Sequence, residues 1–138
     1  MIDLDAPIMP GKGAAGLSIG TGVSNLLAAV RPRSTRTRFD AVKYDLGEIS
    51  VLSKSGNIAE IGLYPGYWGI LPPAIHIGST IADVEDCYGC SVEEDDDDNL
   101  IVPGFHGWCF ETEQWKGLHT VSDNRNARII AIFVFEVF

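Results

Sequence analysis

The apolar positions of this chain mark two short helical stretches, each entered in the same way, and several segments with strand-like alternation. Leu17-Ser18-Ile19-Gly20-Thr21-Gly22-Val23 recurs fifty-eight positions later as Ile75-His76-Ile77-Gly78-Ser79-Thr80-Ile81, and the apolar Leu26 and Val30 that follow match Val84 and Tyr88. In both copies an alternating segment ends at a glycine, a hydroxyl residue (Thr21 or Ser79) follows as helix N-cap, and apolar residues then return every three to four positions. The pattern predicts strand, turn and short helix, twice over.

After the first helix, Glu48 to Leu52 and Ile58 to Tyr64 flank the loop Ser53-Lys54-Ser55-Gly56-Asn57 and predict a β-hairpin. After the second, Trp108 to Thr112 and Ala127 to Phe138 predict two more strands, and the weak alternation of the last suits a central strand buried on both faces. Tyr64 to Pro73, dense in Pro and Gly, predicts the connection between the halves. The expected architecture is α+β, a single domain of residues 1–138 built from two pseudo-repeats (about 11–69 and 70–138), with two short helices on one face of an antiparallel sheet.

Composition narrows the class without revealing chemistry. The 138 residues are 46% hydrophobic, which suits one globular core and excludes disorder. The longest apolar run, Ile129 to Phe135, stops at Glu136, far short of the roughly eighteen residues a membrane helix needs. Acidic first residues predict no cleaved export signal, and three cysteines suit a reducing compartment, so the expected location is cytoplasmic.

Charge is shared unevenly. Residues 1–69 carry seven basic and six acidic side chains, whereas residues 70–138 carry three basic and thirteen acidic ones, making the second half the source of the net charge of -9. Much of the excess is one run, Glu93, Glu94, Asp95, Asp96, Asp97 and Asp98. One reading of it is a solvated loop. A second is a partner surface that attracts a cationic macromolecule, with Glu111, Glu113, Trp108 and Trp115 as neighbouring contacts. A third is pairing with the basic loop Arg31 to Arg38, and a fourth, calcium, lacks the EF-hand spacing. A chain this acidic opposes nucleic-acid binding and suits mimicry of nucleic acid better.

Cys87-Tyr88-Gly89-Cys90 with His106 and Cys109 gives the spacing C-x2-C-x15-H-x2-C, which suits a structural zinc knuckle in an adaptor or redox module; the alternative is ordinary buried thiols. Gly11-Lys12-Gly13-Ala14-Ala15-Gly16 matches G-x-G-x-x-G but lacks the preceding strand and following helix, so it reads as an entry loop. His76, His106 and His119 show no spacing to a nucleophile, and no catalytic residue or cofactor is expected.

The repeated pattern, carried by Leu17 to Val30 and Ile75 to Gly89, resembles the tandem-repeat fold of β-lactamase inhibitor protein and of the outer-membrane-assembly lipoprotein SmpA, though without a lipobox. In its acidic and motif-poor character the chain also resembles immunity proteins of bacterial polymorphic-toxin and contact-dependent growth-inhibition systems. The resemblance implies a protein that binds and blocks a cognate protein toxin, a basic nuclease domain, through a sheet face and protruding loops. The short apolar runs and the acidic charge, for their part, predict no membrane and no nucleic-acid partner.

Overall fold

The computed structural model describes residues 1–113 and 124–137. A two-stranded ribbon, β1 (Gly13–Ala14) and β2 (Leu17–Ser18), precedes helix α1 (Ser24–Ala29), which leads into β3 (Ser34–Arg38), β4 (Ala41–Asp45), β5 (Ile49–Lys54) and β6 (Asn57–Leu63). Helix α2 (Ile81–Tyr88) leads into β7 (Glu93–Glu94), β8 (Leu100–Ile101), β9 (Trp108–Thr112) and β10 (Ile129–Phe135). These eight strands form one antiparallel sheet in the order β3-β4-β5-β6-β10-β9-β8-β7. Each helix is therefore followed by strands that run from an outer edge inward, and β6 and β10 meet at the centre. The α+β expectation holds, as does the central place of β10.

Period-two alternation decides which side chains enter the core. Ile49 pairs with Leu63 and Val51 with Ile61, while Ile132 and Val134 pair with the same two β6 residues on one side and with Phe110 and Trp108 on the other. All eight are buried on one face of the sheet, where Leu26 of α1 and Ile81 and Val84 of α2 join them in a single cluster. Tyr88 extends the contact, its ring centroid 5.9 Å from that of Trp108. Among the described residues, the opposite face carries no helix. None of the described helices is long and apolar enough to cross a membrane.

Several local expectations shift. The predicted hairpin forms, but its strands continue to Lys54 and start at Asn57, leaving a two-residue turn. Ser55 and Gly56 both take positive φ (52° and 81°), the backbone that matches the twist of a tight hairpin. The N-caps are displaced: Thr80, and not Ser79, caps α2 in a reciprocal box with Asp83, while α1 begins after Val23 with no side-chain cap. Residues 75–77 supply only an isolated bridge, Leu71 to Ile75, and no sheet strand. Residues 34–38, expected within a basic loop, form the edge strand β3, because alternating Thr and Arg satisfy an exposed pleat even without an apolar face.

Candidate functional site

The register of the sheet lays out in rows the face opposite the helices, uncovered in the sense that no described helix packs on it. One row reads Arg36, Lys43, Leu52, Glu60, Phe135 across β3, β4, β5, β6 and β10. The next reads Ser34, Asp45, Ser50, Gly62, Phe133, Cys109 and reaches β9, where Glu111 follows Cys109 on the same side. Charge changes sign along these rows: Arg36 and Lys43 stand on β3 and β4 with Asp45 beside them, and the carboxylates Glu60 and Glu111 on β6 and β9. Leu52, Phe133 and Phe135 form a partly exposed apolar strip between them.

Glu60 marks the divide. Burial raises its carboxyl above the usual glutamate range and the Glu111 charge adds to the rise, while Lys43 and Lys54 oppose it. Close by, Gly62 allows Ser50 and Tyr64 to approach: their hydroxyls lie 2.8 Å apart, and a Cβ at position 62 would run into both. The Tyr64 ring meets Phe133 edge to face at 6.1 Å.

The acidic run is no loose loop. Glu93 and Glu94 form β7, pairing with Ile101 and Leu100, and the four aspartates make the turn into β8. Asp95 organises that turn: its Oδ1 accepts from the backbone N–H groups of Asp97 (2.9 Å) and Asn99 (3.0 Å), and its own N–H donates to the Asn99 carbonyl. This is the side-chain mimicry of a turn at which aspartate excels. The price is repulsion, since Glu93, Glu94, Asp96, Asp97 and Asp98 remain exposed. Among the described residues none of the six carboxylates is in an ion pair, because the sheet order puts β3 and β7 at opposite edges, against the reading in which the run pairs with the basic segment.

Of the other expected contact residues, Glu111 is exposed on the anionic side, and Glu113 is exposed with its Oε1 accepting from the Arg128 N–H at 3.1 Å. Trp115 and His119 lie outside the described residues. Trp108 is a correction: it is 2% exposed and stacks on Phe110, because an indole on the inward phase of β9 belongs to the core. The zinc constellation is a correction too. Cys109 sits on the opposite side of β9 from Trp108, whereas Cys87, beside Tyr88, and His106 line a groove that Trp108 shares. Among the described residues no three His, Cys, Asp or Glu side chains converge as metal ligands. His76 uses Nδ1–H to donate to the Ile77 carbonyl at 2.7 Å. Residues 11–16 contain β1 and the turn to β2 rather than a phosphate loop, and their Gly13 packs against the Leu17 backbone.

Sequence reasoning missed the cationic side of the face. Arg36 and Lys43, with Ser34, Ser50 and Tyr64, line a pocket of ≈ 330 Å³. The alternation Thr35-Arg36-Thr37-Arg38 was the available signal, obscured because every residue of β3 is exposed.

No family model matches the chain and no curated protein matches it. Among solved structures it is similar to the crystal structure of the uncharacterized protein yfeY from Escherichia coli, with a TM-score of 0.68 at 14% identity, covering 91% of this chain and 97% of that one. At that identity the likeness concerns the fold alone.

Proposed function

We propose that this protein is an inhibitor of the immunity type, which binds and blocks a cationic protein, a nuclease-type toxin, through its acidic hairpin and the adjoining carboxylates of the uncovered face. One observation carries the reading: five exposed carboxylates are held by a structured turn at a sheet edge with no cation against them among the described residues. Packing like charges in this way costs free energy within the free protein. A cationic partner offsets that cost on association. Long-range attraction speeds the encounter, and the carboxylates stand where a nuclease groove expects phosphates. The apolar strip of Leu52, Phe133 and Phe135 lies beside this surface and supplies area that excludes water.

The same reading takes the two halves as a tandem repeat. Moving α1, β3, β4 and β5 along by fifty-eight positions brings them onto α2, β7, β8 and β9, while β10 arrives later than that offset. Such duplication leaves one loop pair free to diverge in charge, as β3–β4 and β7–β8 have done.

The test takes the candidate partner from the reading frame next to the gene. The purified pair is titrated calorimetrically at low and moderate salt, against a variant with Glu93→Gln, Glu94→Gln, Asp96→Asn, Asp97→Asn and Asp98→Asn that retains the turn-forming Asp95. The expected result is wild-type affinity that falls as salt rises, and at least a tenfold loss in the variant at low salt. Equal affinity of the two proteins rejects the surface, and an adjacent product without a basic domain rejects the toxin.

A further inference from the structure

The cationic half of the uncovered face holds a pocket that the acidic hairpin does not explain. Arg36 and Lys43 are register partners on adjacent strands and both line it. Like charges directly opposite each other destabilise a sheet unless something stands between them. The Arg33 guanidinium lies against Gly47, one of the lining residues, without itself lining the pocket. Among the described residues none of the three has a salt bridge, in a chain whose net charge is -9.

The acidic groups nearby do not cancel this cluster. Asp45 shares the pocket wall, but its Oδ1 accepts from the Gly47 N–H at 2.9 Å. Glu60 lies beyond Leu52 in the row, its backbone two strands or about 10 Å from that of Lys43; the two charges interact, but burial disfavours the ionised form of Glu60. The lining itself carries two cations, Arg36 and Lys43, against one carboxylate, Asp45, which leaves one positive charge. Hydroxyl donors complete the wall: Ser50 and Tyr64 bond to each other at 2.8 Å, so one of them keeps a proton for a ligand, and Ser34 supplies another.

The geometry points to a binding site for a phosphoryl dianion, carried by a small molecule, between Arg36 and Lys43. A guanidinium fork, an ammonium and hydroxyls around one concavity match a tetrahedral oxyanion. The ≈ 330 Å³ is at the lower end for small-ligand sites and exceeds a bare ion, which leaves room for the organic part of a monoester. The site stands on β3, β4, the start of β5 and Tyr64 after β6, whatever the acidic hairpin binds.

The experiment titrates the full chain at low ionic strength with inorganic phosphate and with phenyl phosphate, followed by calorimetry and by phosphorus NMR. One equivalent is expected to bind at pH 7.5, and phenyl phosphate to bind more weakly below about pH 6, where the second proton of a monoester returns. An Arg36→Gln/Lys43→Gln variant should bind at least tenfold more weakly. Arg31→Gln, a cation outside the pocket, should bind as the wild type does. In phosphate-free buffer the double variant should melt no lower than the wild type, since it relieves the facing charges, which separates lost binding from lost folding. Tighter binding of phenyl phosphate assigns the site to an ester, and equal binding to the free ion. Absence of saturation at millimolar concentration, or equal affinity in the double variant, overturns the site.

Discussion

Trp108 and Cys109 are neighbours in β9 and lie on opposite sides of the sheet: the indole stacks on Phe110 with centroids 5.5 Å apart in the core, while the thiol shares the other face with its register partner Phe133. A separation of one residue thus places one side chain among the helices and the next among carboxylates. Burial pushes the Cys109 thiol up to about 12, with Glu60, Asp95, Glu111 and Asp97 adding to the rise.

That thiol should be inert. At pH 8 a group titrating near 12 is thiolate in roughly one molecule in ten thousand, and Cys109 is only 5% exposed. In a Cys87→Ser/Cys90→Ser variant, an aromatic disulfide reagent at pH 8 should label Cys109 only as fast as the protein opens, with rapid labelling restored in denaturant. In the wild type the exposed Cys87 should react at once. Comparable rates for Cys87 and Cys109 in the folded protein would contradict the placement.

Glu60 makes stability pH-dependent in a stated direction. Its folded titration lies above that of the unfolded chain, so the protonated form favours folding and the contribution is lost as pH rises through the folded value. Glu60→Gln should therefore raise the melting temperature at pH 7, and the gain should shrink toward pH 4, where the wild-type carboxyl is itself neutral. Melts of both proteins at the two pH values measure this; a variant that melts lower at pH 7 would show that Lys43 and Lys54 outweigh desolvation.

Asp95 and Asp96 are adjacent and should behave differently. Asp95→Ala removes an acceptor for two backbone N–H groups and should cost about 1–2 kcal/mol in denaturant unfolding. Asp96→Ala removes only an exposed charge from a repelling run and should stay within about 0.5 kcal/mol of wild type, on the stabilising side. Equal costs would mean that the turn does not depend on the Asp95 carboxylate.

The two helices should differ likewise at their starts. Thr80→Ala breaks a reciprocal cap, in which Thr80 Oγ1 accepts from the Asp83 N–H at 3.1 Å and Asp83 accepts from the Thr80 N–H at 2.9 Å, and should cost about 1 kcal/mol. Thr21 caps no helix; its hydroxyl donates to the Ser18 carbonyl, so Thr21→Ala should cost less. Thermal or denaturant melts of the two variants compare them directly.

Much of the fold was legible along the chain because strand and helix periods are local. The hairpin around residues 53–57, the 108–112 strand and the apolar run of β10 each carried their own signal, and β10 proved central because its side chains leave little polar surface on either face. The edge strands β3 and β7, and β8 next to β7, were not legible. Strands of two residues have no period, and β3 is exposed throughout, so its Thr and Arg residues read as loop.

Of the surface, the primary structure alone determined the amount of charge and its division between the halves, since both follow from counting side chains. Which charges meet was decided by the strand order: putting β3 and β7 at opposite edges kept the arginines from the carboxylates, and the phase of each pleat sent Trp108 inward and Cys109 outward. Electrostatic contact depends on distance in space. That distance is set by pairings between residues far apart along the chain, which no local pattern records.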